Sequence, residues 1–282
     1  MAHPIHLRHL CLLLLGLTAC GSGDDPIPTP VDPELPYSFA DGFETARGEL
    51  DELFPADDSR WSNQQIVNPD GGRNAITIEG ATVQTGNHAL RVLASPTAGP
   101  LSKADIEKGG FFAPPGSTVE IQADIFLATT ANLAELFLID LECCSCWDPD
   151  VPDNQCPGIR LKLAGEEEYL AIERGKILGS TLRQTEWPFP KNEWVRVVWS
   201  MTLSPDGGGR NQLTVNGERI IDVTDKNLPN SAEFRAEFAR FGIDFELPER
   251  VGYERVQIGA TANPGDQTAQ VLFDNFELRI TE

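Results

Sequence analysis

The sequence predicts an all-β domain, and three observations support this fold class. From about residue 38 onwards, short runs of apolar and β-branched residues alternate with clusters of Gly, Pro, Asn and Asp, as in strands separated by turns. Apolar residues rarely recur at helical spacing. The dipeptide Asn216-Gly217 divides two apolar runs, and it favours a two-residue hairpin because both turn positions need a positive φ.

The elements follow from this pattern in chain order. Segment 231–241 is the exception to β structure, because Phe234, Phe238 and Phe241 recur at helical spacing and predict one short helix packed on the strands. The other elements are predicted as strands over residues 75–84, 89–94, 118–127, 134–142, 159–163, 169–174, 194–203, 212–215, 218–223, 255–260 and 270–280.

Alternation within the strands assigns their two faces, since successive side chains of a strand point in opposite directions. In 118–127, Gln122 and Asp124 oppose the apolar residues, and in 159–163 Arg160 and Lys162 do so. The apolar residues are predicted to form the core. We expect the polar residues to lie on the other face of the same sheet, where a curved sheet would make them line a groove.

The N-terminal segment 1–19 has the pattern of an export signal. Arg8 precedes an apolar run over 10–17, and this run is too short to cross a bilayer, which needs about 20 residues. The segment resembles a bacterial lipoprotein signal peptide, with Leu17-Thr18-Ala19-Cys20 as its lipobox. The resemblance implies that Cys20 becomes the lipid-modified N-terminus, although an ordinary signal peptide with a chance cysteine stays open.

The lipid would anchor the chain to a membrane. Gly21 rather than Asp follows Cys20, so we expect the outer membrane, facing either the periplasm or the cell surface. Residues 20–37 are rich in Pro and predict an extended tether, and residues 38–282 have the size of one all-β domain. The net charge of −21 disfavours nucleic acid as a partner, because phosphates would be repelled.

Motifs at both ends of the domain resemble those of the concanavalin A-like lectin/glucanase superfamily. They are Asp41-Gly42-Phe43-Glu44, the segment 85–92, the hairpin 215–218 and the segment 273–278. The resemblance implies a two-sheet antiparallel jelly-roll sandwich and suggests glycans as ligands. It also implies a structural Ca²⁺ held by Asp41, Glu44 and Asp274, because acidic residues from both ends of such modules commonly share a cation. Alternatively, these carboxylates cap turns or face solvent.

Four cysteines lie close together in one predicted loop: Cys143, Cys144, Cys146 and Cys156. Their spacing does not match the paired C-x-x-C ligands of zinc sites. Since an exported chain meets an oxidising compartment, we expect two disulfides. A bond between the adjacent Cys143 and Cys144 would be strained, which leaves two pairings open.

Three classes of function are compatible with the sequence: carbohydrate binding, polysaccharide cleavage by a hydrolase or a lyase, and a structural or adhesive role. For a carbohydrate-binding module, Trp147, Trp187 and Trp194 would stack on sugar rings. Hydrolases of the superfamily carry paired carboxylates on one strand; Asp140 and Glu142 match two of them, but Leu138 stands where another glutamate belongs. A structural or adhesive surface protein is the third possibility.

Lyases of the superfamily use a base and a clamp for the substrate carboxylate. Tyr169 or Tyr253 would be the base here, with Arg160, Lys162 and Gln122 as the clamp. Arg160 and Lys162 would instead be ordinary ion-pair partners if they faced Asp140, Glu142 or Asp124. We predict a membrane-anchored carbohydrate-binding module, with polysaccharide cleavage, by a lyase before a hydrolase, as the alternative.

Overall fold

The computed structural model describes residues 34–68, 71–96, 101–146, 156–175, 180–240, 242–244, 247 and 250–282. The predicted signal peptide, most of the predicted tether, and the residues Trp147 and Phe241 lie outside these ranges. The described residues form one compact unit. Within the described ranges, no helix is both long enough and apolar enough to cross a membrane.

The described residues form fifteen strands and one α-helix. The strands are β1 (Tyr37–Asp41), β2 (Asn63–Val67), β3 (Ala75–Glu79), β4 (Ala89–Ala94), β5 (Lys103–Lys108), β6 (Thr118–Leu127), β7 (Phe137–Glu142), β8 (Gly158–Ala164), β9 (Tyr169–Gly175), β10 (Ser180–Pro188), β11 (Trp194–Thr202), β12 (Arg210–Val215), β13 (Glu218–Thr224), β14 (Arg255–Ala262) and β15 (Ala269–Thr281). The helix is α1 (Ser231–Ala239), and the side chain of its N-cap Asn230 accepts a hydrogen bond from the backbone N–H of Glu233.

The strands form two antiparallel sheets. The eight-stranded sheet has the order β13-β12-β11-β6-β15-β4-β3, and β1 also pairs with β15. The seven-stranded sheet has the order β10-β9-β8-β7-β14-β5-β2. This architecture confirms the predicted all-β, two-sheet sandwich with one short helix.

The apolar faces of both sheets meet in one core, as their alternation predicts. On β11 the side chains of Val195, Val197 and Trp199 are buried, and so are those of Ile159 and Leu161 on β8. The predicted hairpin is also present: Asn216 and Gly217 have φ values of 49° and 86° between β12 and β13. Two residues with positive φ match the right-handed twist of the strands that they join.

Four strands lie outside the predicted segments: β1, β2, β5 and β10. Strands β2 and β10 are edge strands of the seven-stranded sheet, so they carry polar residues on both faces and show no apolar alternation. Strand β5 alternates charged with apolar residues, Lys103-Ala104-Asp105-Ile106-Glu107-Lys108, and all six are buried.

The expectation that the polar residues share one sheet is wrong. Gln122 and Asp124 lie on β6, in the eight-stranded sheet, whereas Asp140, Arg160 and the other residues of β7 and β8 lie in the seven-stranded sheet. Since the apolar faces of the two sheets pack together, their polar faces point in opposite directions. Gln122 and Asp124 therefore cannot act together with Arg160.

Candidate functional site: the polar face of the seven-stranded sheet

Side chains on the outer side of β5, β14, β7, β8 and β9 form what we call the polar face. A row of directly opposed residues crosses the whole seven-stranded sheet. In sheet order the row consists of Asn63, Glu107, Gln257, Asp140, Arg160, Glu173 and Thr181. Directly opposed residues of antiparallel strands bring their side chains within contact distance, so polar side chains in this row can form ion pairs and hydrogen bonds with their neighbours.

The β5–β14 half of the polar face holds a buried hydrogen-bond network around Gln257 and Glu142. Gln257 donates to Glu107 at 3.4 Å and to Glu142 at 3.2 Å, and it accepts from Lys103 Nζ at 2.9 Å. Arg255 donates through Nε to Glu142 Oε2 at 2.8 Å. Glu142 and Gln257 are 0% and 1% exposed, so this half offers few groups to a ligand.

Asp105 is a carboxyl group of this half with a raised pKa. It is fully buried, and Lys103 Nζ lies 3.3 Å from its Oδ2. Burial raises the pKa of Asp105 to about 7; Glu107 and Asp140 add to this rise, and Lys103 opposes it. Gly259 stands opposite Asp105, and a Cβ at this glycine would come within 2.6 Å of the backbone oxygen of Ala104.

Arg160 occupies the middle of the polar face. Its guanidinium lies 4.7 Å from the ring centre of Phe137, and it passes over Gly175, where any Cβ would overlap it. Glu173 Oε1 is 3.8 Å from Nη2, which is too far for a hydrogen bond. Among the described residues, the buried Nε of Arg160 has no hydrogen-bond partner. The guanidinium is thus fixed in place; its Nε is buried, so only the exposed 12% of the side chain can reach a ligand.

Lys162 is held by two carboxylates. Its Nζ lies 2.6 Å from Glu135 Oε2 and 2.7 Å from Glu173 Oε2. Burial opposes the charged ammonium, but the bonds to these two glutamates outweigh it and raise the pKa of Lys162. Lys162 faces Ala171 on β9, and Tyr169 follows on the same side of β9 two residues away, half-buried. Arg160, Lys162 and Tyr169 therefore share one surface.

Arg160 and Lys162 form ion pairs, as the alternative prediction states. The acidic partners, however, are Glu173 and Glu135 rather than Asp140, Glu142 or Asp124. Asp124 instead accepts from Arg196 at 2.8 and 2.7 Å on the outer side of the eight-stranded sheet. The partners differ because strand pairing, which the local sequence does not reveal, decides which side chains meet.

Tyr253 cannot be the base on this surface, so this prediction is wrong. The side chain is fully buried, and its hydroxyl donates a hydrogen bond to the backbone oxygen of Asn227. Burial and the nearby Asp140 raise the pKa of Tyr253 far above its ordinary value. The residue fills the core beside Ala113, with which it forms an isolated β-bridge.

The predicted aromatic residues do not form one platform. Trp187, on the edge strand β10, packs edge-on against Phe189 at 6.0 Å. Trp194 lies on β11 in the other sheet, 5.4 Å from Phe126. Trp147 lies outside the described residues. Of the tryptophans predicted to stack on sugars, only Trp187 is described in the sheet that carries the polar face.

The predicted calcium ligands do not converge in the structure. Asp41 accepts from Arg60 Nε at 2.8 Å, Glu44 accepts from the backbone of Asn87 at 2.8 Å, and Asp274 accepts from the backbone of Gln84 at 3.0 Å. Within the described ranges, these carboxylates form no cluster of the size that a metal ion needs. Each serves a different backbone or guanidinium donor, and calcium binding stays a prediction.

One of the predicted disulfides is present, between Cys143 and Cys146. Cys144 and Cys156 are unbonded and half-buried. Their Sγ atoms and a carboxylate oxygen of Glu142 lie within 4.8 Å of one another, which places the thiols at the border of the polar face.

Sequence reasoning missed several residues of the polar face. They are Lys103, Asp105, Glu107, Glu173, Arg255 and Gln257. A signal was present for the first three, since charged residues alternate with apolar ones over 103–107. Such alternation is typical of a strand even when every charge is buried by pairing.

Comparison with known proteins supports the fold. The sequence matches no protein-family model and no curated protein. Among solved structures, it is similar to the cellulose-induced protein Cip1, with 17% identity, a TM-score of 0.51, and coverage of 85% of this chain and 96% of that one.

Two enzymes show the same architecture. An endo-β-1,4-glucuronan lyase from the fungus Trichoderma reesei has 11% identity and a TM-score of 0.54, covering 79% of this chain and 96% of the enzyme. The alginate lyase Aly36B has 12% identity and a TM-score of 0.53, covering 87% and 98%. At these identities the likeness shows a shared two-sheet fold.

Proposed function

We propose that the chain binds a carbohydrate polymer on the polar face, with contacts concentrated around Arg160, Lys162 and Tyr169. The observation that carries the proposal is the state of Arg160: Phe137 and Gly175 fix its guanidinium, and part of its side chain stays exposed 3.8 Å from Glu173, without a hydrogen bond to it. A pre-positioned guanidinium binds hydroxyl or carboxylate oxygens at little entropic cost. Glu173 beside it offers acceptors for sugar hydroxyl groups.

The similar solved structures support carbohydrate as the ligand class. Two of them act on polyuronates, glucuronan and alginate. The polar face mixes four cations, Lys103, Arg160, Lys162 and Arg255, with buried carboxylates, so its local charge differs from the strongly acidic average of the chain. This mixture suits a ligand that both donates and accepts hydrogen bonds.

A glycan array that includes neutral and uronate polysaccharides tests the binding function. Arg160→Met keeps the apolar stem but removes the donors, and we expect it to weaken retention roughly 10–100-fold, the usual effect of losing a charge-assisted hydrogen bond. Arg196→Met is the matched control, because Arg196 lies on the outer side of the other sheet. Equal retention by both variants, or no retention of the wild type over the panel, would contradict the proposal.

A second function, eliminative cleavage of a polyuronate, is favoured by the shared surface of Tyr169, Lys162 and Arg160. In such a reaction a cation neutralises the uronate carboxylate, which acidifies the proton on the adjacent carbon. Tyr169 as phenolate would remove that proton. The bond between the ring and the leaving sugar oxygen then breaks, this oxygen takes up a proton from Tyr169 or water to become a hydroxyl group, and the product ring contains a new carbon–carbon double bond.

The ultraviolet absorbance of this unsaturated product distinguishes cleavage from binding. Tyr169→Phe should abolish product formation but retain the polymer on a column, because only the reacting hydroxyl is lost. A wild-type chain that retains a polyuronate without any rise in absorbance would be a binding module alone. If Tyr169→Phe cleaves as fast as the wild type, Tyr169 is not the base.

We propose lipid attachment at Cys20 and an outer-membrane location on the lipobox resemblance. Expression of the full chain with a labelled fatty acid should label the wild type but not Cys20→Ser. The wild type should also partition into detergent, since two or three acyl chains make membrane attachment effectively permanent. An unlabelled mature chain that begins at a residue other than Cys20 would contradict the proposal.

A further inference from the structure

The border of the polar face carries two thiols that the carbohydrate-binding function does not use. Cys144 follows the end of β7, and Cys156 precedes β8. They lie close together beside Glu142, while the neighbouring Cys143 and Cys146 are already joined. Two thiols placed this close together can be joined by a disulfide.

We infer that Cys144 and Cys156 are a site of oxidative modification, where a second disulfide forms and links the end of β7 to the start of β8. This bond selects one of the two pairings compatible with the sequence. The inference depends on the positions of the thiols and not on the proposed carbohydrate function.

The surroundings assign different roles to the two sulfur atoms. Arg255 Nη2 lies 3.5 Å from Cys156 Sγ, and Cys144 lies 3.9 Å from Glu142 Oε2. A hydrogen bond from Cys144, together with the charge of Arg255, lowers the pKa of Cys156, while the same thiol contact and burial raise the pKa of Cys144. Cys156, which faces Arg255, is therefore the thiol that ionises more readily and attacks first, and Cys144 is the thiol that attacks second.

The reaction is an exchange with a small-molecule or protein disulfide. The Cys156 thiolate attacks one sulfur of the oxidant, forms a mixed disulfide and releases one thiolate. Cys144 then loses its proton and attacks the Cys156 sulfur, which releases the second thiolate. Two cysteine thiols are thereby oxidised by two electrons, and the oxidant is reduced to two thiols.

Oxidation also changes the charges beside the polar face. Arg255 contacts Cys156, Glu142 and Glu107, the last at 3.4 Å. Since a disulfide sulfur cannot ionise, oxidation leaves Arg255 with the two glutamates as its acidic neighbours. A metal ion on the same donors is disfavoured, because the guanidinium already lies against Cys156 and Glu142 and repels a cation.

Thiol mapping of the full chain tests the inference. The chain is treated with oxidised glutathione, alkylated and analysed by peptide mass spectrometry. We expect a peptide linked through Cys144 and Cys156, with neither thiol alkylated. Cys143→Ser/Cys146→Ser is the matched control and should keep this link, whereas Cys144→Ser/Cys156→Ser should lose about 6–12 °C in Tm relative to the oxidised wild type.

Three results would overturn the inference. They are alkylation of both thiols after oxidation, the alternative pairing Cys143–Cys156 with Cys144–Cys146, and one equivalent of zinc bound with both thiols free. Glycan retention is measured separately on the oxidised wild type. Failure to bind any glycan leaves the thiol map unaffected, so the two proposals fail independently.

Discussion

The substitution Asp105→Asn should remove a pH dependence of folding that arises in the polar face. Asp105 is fully buried, with Lys103 Nζ at 3.3 Å and with Glu107 and Asp140 as further charged neighbours. Burial raises the pKa of Asp105 to about 7, from an ordinary value of 3.8. Asparagine has the same size and is neutral at every pH, so it imitates the protonated aspartic acid.

The direction in which the unfolding free energy changes with pH follows from whether Asp105 binds a proton in the folded and in the unfolded chain. Between pH 3.8 and about 7, the folded chain keeps a proton that the unfolded chain has released. The free energy of unfolding therefore falls as pH rises through this window, and the contribution of Asp105 is complete below 3.8 and lost above about 7. Since one pKa unit corresponds to about 1.4 kcal/mol, the total loss is about 4 kcal/mol.

Denaturant unfolding at a series of pH values measures this contribution. We expect the difference in unfolding free energy between Asp105→Asn and the wild type to grow by about 4 kcal/mol, in favour of the variant, from pH 4 to pH 8. Asp222→Asn is the control: Arg210 and Gln212 lower the pKa of this exposed carboxyl to about 2, so its contribution is lost only as pH falls below 3.8. A difference for Asp105→Asn that stays constant over this range would refute the reasoning.

Three further substitutions probe the site, the core and the hairpin. Gly175→Ala places a methyl group where the Arg160 guanidinium lies, so it should weaken glycan retention about as much as Arg160→Met does; unchanged retention would contradict this placement. Trp199→Ala empties a fully buried site and should cost about 3–5 kcal/mol in denaturant unfolding, and a cost below about 1 kcal/mol would contradict its core position. Gly217→Ala forces a residue with a side chain to a φ of 86° and should cost about 1 kcal/mol, whereas Gly207→Ala, with open space around it, should cost almost nothing.

Much of the fold could be predicted because one face of most strands is buried. Val195, Val197 and Trp199 repeat with a period of two along β11, and this period specifies both the strand and its inner face. The edge strands β2 and β10 were not predicted because most of their side chains are exposed and their few apolar residues do not recur with a period of two. Their existence depends on hydrogen bonds to β5 and β9, which are distant in sequence.

The candidate site was less predictable for a related reason. Alternation shows that Arg160 and Lys162 point away from the core, but it does not show which strands lie beside β8. Glu173 and Glu135 meet these cations only because β9 and the turn before β7 pack there. The same lack of pairing information placed Gln122 on the wrong sheet. Side-chain direction is a local property of sequence, whereas the choice of partner is a property of topology.

The pattern of burial across the polar face indicates where a ligand makes contact. On the β5–β14 half, Glu142 and Gln257 are 0% and 1% exposed and their hydrogen bonds are made within the protein, so binding there would have to break an existing network. On the β8–β9 half, the side chains of Arg160 and Glu173 are 12% and 18% exposed and lie 3.8 Å apart without a hydrogen bond. A sugar hydroxyl between these two groups would donate to Glu173 and accept from Arg160. Contact on this half adds hydrogen bonds without removing any, which is why Arg160→Met should affect binding more than substitutions on β5.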